Sequence, residues 1–298
     1  MYIHPAIELI IRYFYFGLNM RKFVPKNKKR KNRSNKIKIK EIEEKMKLLG
    51  IKKGDTLMIH SSFSVVDDTA ENFIDFLKNY IGTEGNILMP THPLLCEENG
   101  MLVYDIEQSP STVGYLTEVF RKSEGVYRSE HPCSSVAVWG KDSKFLLENN
   151  LNEKKPLPHG KDSPYYKMIQ LNAKVLCIGV SAKSRATIKH VAEEVLDEDY
   201  LLKNNFIEKE VIIKRDNQFI KKVIVREFDL HKSQIFVAKH KIEKEWIDNN
   251  ILIKGSINGV PFDIVDAKSC VEFMISEAKN GNTNYPYMLK RKTQKQAG

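Results

Sequence analysis

Residues 174–180 read KVLCIGV, with no hydrogen-bonding side chain after Lys174. A run this short and this uniformly apolar must be buried on both faces, which marks a central strand in a sheet covered on each side. TLMIH at 56–60, entered through the Lys53-Gly54-Asp55 turn, and the stretch at 86–89 after Gly85 have the same character. Amphipathic stretches alternate with them. Ile39, Ile42, Met46, Leu48 and Leu49 recur at helical spacing up to Gly50, and helices are expected near 71–81, 141–148, 165–171 and 187–196. Strands alternating with helices give an α/β layered fold. The later chain differs. Residues 210–213 and 218–227 alternate as an antiparallel hairpin turning at Asp216-Asn217. A helix is expected at 243–250, a strand at 251–257 and a long helix at 266–279, so the sheet should be mixed with an antiparallel C-terminal portion.

The formal charge of +10 belongs to the ends of the chain. Residues 21–40 hold eleven Lys or Arg and no acid, residues 290–295 hold four more, and 41–289 holds 32 basic against 37 acidic residues. A body that is mildly acidic is not a nucleic-acid surface, and no nucleic-acid partner is expected. The apolar stretch at 6–18 is interrupted by Glu8 and Arg12. It is shorter than the roughly 20 apolar residues a spanning helix needs. Followed by basic residues, it reads as an irregular extension, with peripheral contact to an anionic membrane as the alternative. The chain is expected to divide into a basic extension (1–40), one folded domain (41–285) and a basic tail (286–298). Cys96, Cys133, Cys177 and Cys270 are widely spaced and form no CxxC pair, which suits a reducing cytoplasm without structural zinc.

Chemistry-bearing residues gather just beyond the expected strand ends, where α/β sheets place ligand sites. His60-Ser61-Ser62 follows one strand, Arg128-Ser129-Glu130-His131 precedes another, and Thr187-Ile188-Lys189-His190 follows KVLCIGV. In the run at 109–140, Ser109, Ser111 and Thr112 suit N-cap positions and Val113, Leu116, Val119 and Phe120 recur at helical spacing. A helix over 113–122 ended by Gly125 would present backbone N–H groups that suit an anion. His190 falls in a first helical turn, where the partial positive charge favours the neutral imidazole of a general base. Glu193, three residues on, shares its face; an exposed helix pair is the alternative. The cluster at 193–199 favours a cationic ligand if it faces the cleft and is a solvated face otherwise. Gly179-Val180-Ser181 lacks the second glycine of a nucleophile elbow. No zinc-protease, P-loop or dinucleotide-binding motif occurs.

The ordered set LGIKKGDTLMIHSS, GNILMPTHP, SPSTVGYLTEVFRKSEGVYRSEHPCSSVAVWG, GKDSPYYKM, KVLCIGV and TIKHVAEE resembles the aminoglycoside 3-N-acetyltransferase family. The resemblance implies a three-layer α/β/α sandwich and direct transfer of acetyl from acetyl-CoA to an amine of an amino sugar, without a metal. The acceptor would be an aminoglycoside or a nucleotide-linked amino sugar of a cell-surface polysaccharide. By position, His190 resembles the catalytic base, with Glu193 as its acidic neighbour. Ser61, Ser62, Ser111, Gly114, Thr117, Arg128 and Ser129 resemble the residues lining the coenzyme A site, Arg128 as a partner for phosphate. A non-enzymatic membrane- or nucleic-acid-associated protein acting through the basic N-terminus is the alternative, and a homodimer is left open.

Overall fold

The computed structural model describes residues 35–196, 206–228 and 239–280. The apolar N-terminal stretch, most of the basic extension, the acids at 197–199 and the basic tail lie outside these residues. The packed body begins before residue 41. Ile37 is fully buried and exchanges backbone hydrogen bonds with Val65 and Asp67.

Helix α1 (Ile39–Leu48) buries Ile42 and Met46. Glu41 accepts from the Lys38 N–H at 2.8 Å and so closes its first turn. The chain continues through β1 (Thr56–Ser61), α2 (Ala70–Ile81) and β2 (Asn86–Pro90). Thr69 caps α2 by accepting from the Asn72 N–H. Next come β3 (Cys96–Glu98), β4 (Met101–Asp105), α3 (Tyr115–Arg121), β5 (Tyr127–Arg128), β6 (Val136–Gly140), α4 (Ser143–Leu147) and α5 (Pro164–Gln170). Strand β7 (Lys174–Ile178), the short α6 (Ala182–Arg185) and α7 (Lys189–Val195) complete this part. The remainder comprises β8 (Phe206–Arg215), β9 (Gln218–Phe228), α8 (Lys239–Asp248), β10 (Leu252–Ile253), β11 (Ser256–Ile257), β12 (Val260–Asp266) and α9 (Ala267–Lys279).

The main sheet runs β10-β12-β7-β1-β2-β6-β5, with β11 paired to β12. Strands β7, β1 and β2 are parallel, while β12, β6 and β5 join antiparallel, so the sheet is mixed as expected. Alternate residues feed two cores. Leu57, Ile59, Ile87, Met89, Leu176 and Ile178 pack with residues of α1, α2 and α3. Met58, Leu88, Val175 and Cys177 pack with residues of α4, α5, α7 and α9 on the other face. Strand β7 is buried on both sides, which is why its sequence carries no polar alternation.

Three expectations are corrected here. The hairpin forms as predicted, with Asp216 (φ 48°) and Asn217 (φ 64°) both left-handed as a two-residue turn of this type requires. It does not extend the main sheet, however: it belongs to a second sheet, β3-β4-β8-β9, in which β4 and β8 run parallel. The single strand expected at 251–257 is instead two short pieces, and β12 is the strand that pairs with β7. The helix expected over 113–122 begins only at Tyr115, because Gly114 takes φ 142°. Ser111 lies in a bridge to Pro93 rather than at a cap. That leaves α3 seven residues long, and the Ser111 N–H is taken by the chain's own Glu118 carboxylate at 2.7 Å.

Candidate active site

The three parallel strands end on the same edge of the sheet. His60 and Ser61 close β1 opposite Cys177 and Ile178 of β7, and the Ser62 N–H donates to the Ile178 carbonyl at 2.9 Å. Thr91 and His92 follow β2 directly. Beyond β7 the chain turns through α6 into α7. The Ala182 N–H at the start of α6 donates to the buried Asp263 carboxylate of β12 at 3.0 Å. Helix α7 therefore starts at a place set by two neighbouring strands, and its second residue is His190.

His190 is part-exposed, while Glu193 is buried with a side-chain exposure of 7%. Their contact, Nδ1 to Oε2, is 2.6 Å. An ionised carboxylate can only accept, so this contact calls for a proton on Nδ1, and in the neutral imidazole that leaves the lone pair on Nε2. The sequence alternative of an exposed surface pair is set aside by Glu193's burial. Glu194 is also buried, and its carboxylate accepts from the His159 backbone N–H at 2.5 Å and from His159 Nδ1 at 2.7 Å. Neither acid belongs to a solvated face.

Two further imidazoles converge on the same edge. Burial pushes His60 down to about 3, helped by the charges of His92, Arg185 and Lys189; its Nε2 lies 3.4 Å from Thr187 Oγ1. Burial likewise lowers His92 to about 4, followed by the charges of His159 and His190; its Nε2 lies 3.3 Å from Ser134 Oγ. Both are neutral at pH 7 and serve as hydrogen-bonding groups rather than charges. Among the described residues no group of three or more His, Cys, Asp or Glu is arranged to hold a metal ion.

The residues expected to line the coenzyme site separate into two sets. Ser61, Ser62 and Ser111 are part-exposed and Gly114 is exposed. Gly114 has open space where a Cβ would stand, so backbone is reachable there. Ser62 and Ser64 hydroxyls are 3.4 Å apart. Ser111 Oγ meets Thr117 Oγ1 at 2.8 Å, and Thr117, itself buried, also donates to the Gly114 carbonyl at 2.9 Å. The Phe63 and Tyr115 rings, 6.5 Å apart, join the Ser61-Ser62 segment to the start of α3.

Arg128 and Ser129 form the second set, and both are turned inward. Arg128 is only 5% exposed. Its Nε donates to Thr91 Oγ1 and Ser135 Oγ, Nη1 to the Ile106 and Ser109 carbonyls, and Nη2 to the Thr91 carbonyl. Its planar fork braces three backbone segments from within. The Ser129 hydroxyl accepts from the Val136 N–H at 2.9 Å and its carbonyl accepts from the Tyr104 hydroxyl at 2.8 Å. Both residues hydrogen-bond within the loop, as a buried guanidinium needs nearby acceptors.

His92, His159 and Tyr165 escaped sequence reasoning. His159 sits between Pro158 and Gly160 in a loop without periodicity, and nothing local signals a partner at Glu194. Its ring centroid lies 5.3 Å from that of His190 and 4.5 Å from that of Tyr165.

A family model described as Aminoglycoside 3-N-acetyltransferase matches residues 58–278. A relative from Bacillus subtilis (strain 168), the SPbeta prophage-derived aminoglycoside N(3')-acetyltransferase-like protein YokD, is 32% identical over 177 residues. That alignment takes in 51% of this chain and 63% of the relative, so the chain spans less than two thirds of the relative's length. Among solved structures, AAC-IIIb in a binary complex with CoASH superposes with a TM-score of 0.67 at 19% identity, over 81% of this chain and 96% of that one. AAC-VIa bound to sisomicin gives 0.68 at 20% identity, over 83% and 99%. At these identities the two structures speak for the fold.

Proposed function

The chain belongs to the aminoglycoside 3-N-acetyltransferase family, and we propose that it transfers acetyl from acetyl-CoA to a primary amine of an aminoglycoside-type amino sugar. The observation that carries this reading is the His190–Glu193 pair at the carboxyl edge of the parallel strands, with Nδ1 held at 2.6 Å. That bond leaves Nε2 as the basic nitrogen. As the amine nitrogen attacks the thioester carbonyl, Nε2 takes its proton; when the C–S bond breaks, the proton passes to the departing sulfur. Nitrogen gains a bond to the acetyl carbon, sulfur loses one, and the products are an amide and a thiol. Glu193 steadies the imidazolium between these transfers.

Donor binding is assigned to the reachable set: Ser61, Ser62, Ser111 and the Gly114 backbone, with Thr117 holding Ser111 and Gly114 in place. Two similar structures support it: the solved AAC-IIIb contains CoASH and the solved AAC-VIa contains sisomicin. Acetyl transfer measured across a panel of aminoglycosides and nucleotide-linked amino sugars tests the reading. Turnover with an aminoglycoside is expected, together with a His190→Ala variant that binds acetyl-CoA normally and loses roughly 100-fold or more in kcat. Near-normal turnover by His190→Ala would sink the assignment, and turnover confined to nucleotide-linked sugars would replace the acceptor class.

A further inference from the structure

Glu193 and Glu194 are consecutive on α7, and each clasps a different histidine. The Glu194 side chain is fully buried and His159 nearly so. Two donors from one residue, the His159 N–H and Nδ1–H, converge on that carboxylate, which fixes both the loop backbone and the ring plane. A buried carboxylate is costly for a fold to keep, and a buried histidine can be satisfied more simply. His131, also buried, accepts from the Cys133 N–H on Nδ1 and donates from Nε2 to the Pro156 carbonyl. His159 is built differently. Its Nε2 is one of three buried side-chain nitrogen or oxygen atoms without a hydrogen-bond partner among the described residues, and the Tyr165 hydroxyl, on the ring packed against it, is another. Incomplete satisfaction beside a reacting side chain is where folds trade stability for function.

We propose that His159, anchored by Glu194, is a positioning residue for His190. Its ring forms the wall that restricts the His190 imidazole to the orientation in which Nδ1 meets Glu193 and Nε2 faces the acceptor amine. Two carboxylates from one helix turn then hold two rings in fixed relation, one that moves the proton and one that limits how the first can turn. The groups facing His159 are Glu194 and His190 from α7 and Tyr165 from α5, with His92 and His131 nearby. The inference rests on His190 as the base.

The test uses the full chain with His159→Phe, which keeps a ring but cannot bond Glu194, with Glu194→Gln, which keeps an acceptor, and with the double variant His159→Phe/Glu194→Leu, which removes the buried charge if either single variant folds poorly. Two readouts are taken. Steady-state kinetics should give a fall in kcat of roughly 10- to 100-fold in His159→Phe, with KM for acetyl-CoA and for the acceptor each within about threefold, and a smaller fall in Glu194→Gln. Imidazole-nitrogen NMR of ¹⁵N-histidine protein should show a single protonated Nδ1 for His190 in the parent and a tautomer mixture in the variants. Folded variants with unchanged kcat and an unchanged His190 signature overturn the proposal. A loss confined to KM also overturns it, because the ring would then be touching substrate. A parent protein that transfers no acetyl group to any acceptor refutes the catalytic reading instead, while the NMR comparison still decides the positioning role.

Discussion

Replacing Arg128 with Met separates a structural brace from a coenzyme contact. The side chain is 5% exposed, with donors spent on the Thr91, Ile106 and Ser109 carbonyls and on two hydroxyls. Its guanidinium also lies 5.2 Å over the Tyr104 ring. Met fills comparable volume but donates nothing. Thr91 O retains the Ser135 hydroxyl at 2.7 Å, so the loss falls mainly on Ile106 and Ser109, at about 1–3 kcal/mol for each buried acceptor left short. The lost cation–ring contact adds about 1–2 kcal/mol. Burial lowers the Arg128 pKa, a sign that holding the cation there is itself unfavourable, and removing it returns part of the loss. The net expectation is about 2–4 kcal/mol of destabilisation, or a drop in Tm of roughly 3–8 °C for a chain of this size. Thermal unfolding followed by calorimetry checks the first part. Isothermal titration with CoA and with 3'-dephospho-CoA, well below the variant's Tm, checks the second, where Kd should stay within about threefold for both. An unchanged Tm with tenfold weaker binding that disappears for the dephospho form would falsify the brace and restore Arg128 as a phosphate ligand.

Gly140→Ala should destabilise by at least about 3 kcal/mol in urea unfolding, because a Cβ there meets the Gly85 carbonyl oxygen at 2.1 Å and φ is +130°; a midpoint equal to that of the parent would show that the backbone relaxes freely. Glu118 is held at about 2 because hydrogen bonds from Arg121, Lys122 and Ser111 outweigh the upward push of burial. Its folded value lies below the ordinary 4.5, so its contribution is present above that pH and is lost as pH falls towards 2. In Glu118→Gln the acid limb of the stability profile should flatten across that window; a limb of unchanged steepness contradicts the linkage.

Much of the sheet was legible because burial on both faces leaves an unmistakable composition, as in β7, and because Asp216-Asn217 can adopt left-handed conformations at little cost. Strand β12 was not. Pro261 and Asp263 interrupt its apolar run, and the reason a buried acid is tolerated there, the Ala182 N–H, lies on another segment. The start of α3 was misread for a related reason. Serine and threonine before an apolar repeat look like caps, but Ser111 and Thr112 bond to the His92 and Pro93 segment and to Glu118 instead, and such local polar groups serve turns as readily as helices. At the site, the i, i+3 spacing of His190 and Glu193 was visible because one helix carries both. His159, His92 and the internal destination of Arg128 depend on pairs that only the folded chain brings together.

The place of β7 between β1 and β12 also sets an order of events during synthesis. His190 and Glu193 leave the ribosome well before β12 does. Until β12 adds itself, β7 is an apolar edge strand with a row of open amides and carbonyls, the kind of edge that recruits other chains. Over the same interval the Ala182 N–H has no Asp263 to receive it. The nascent protein therefore carries an open apolar strand edge and an unfastened α6 turn at the same time, and one late strand covers both.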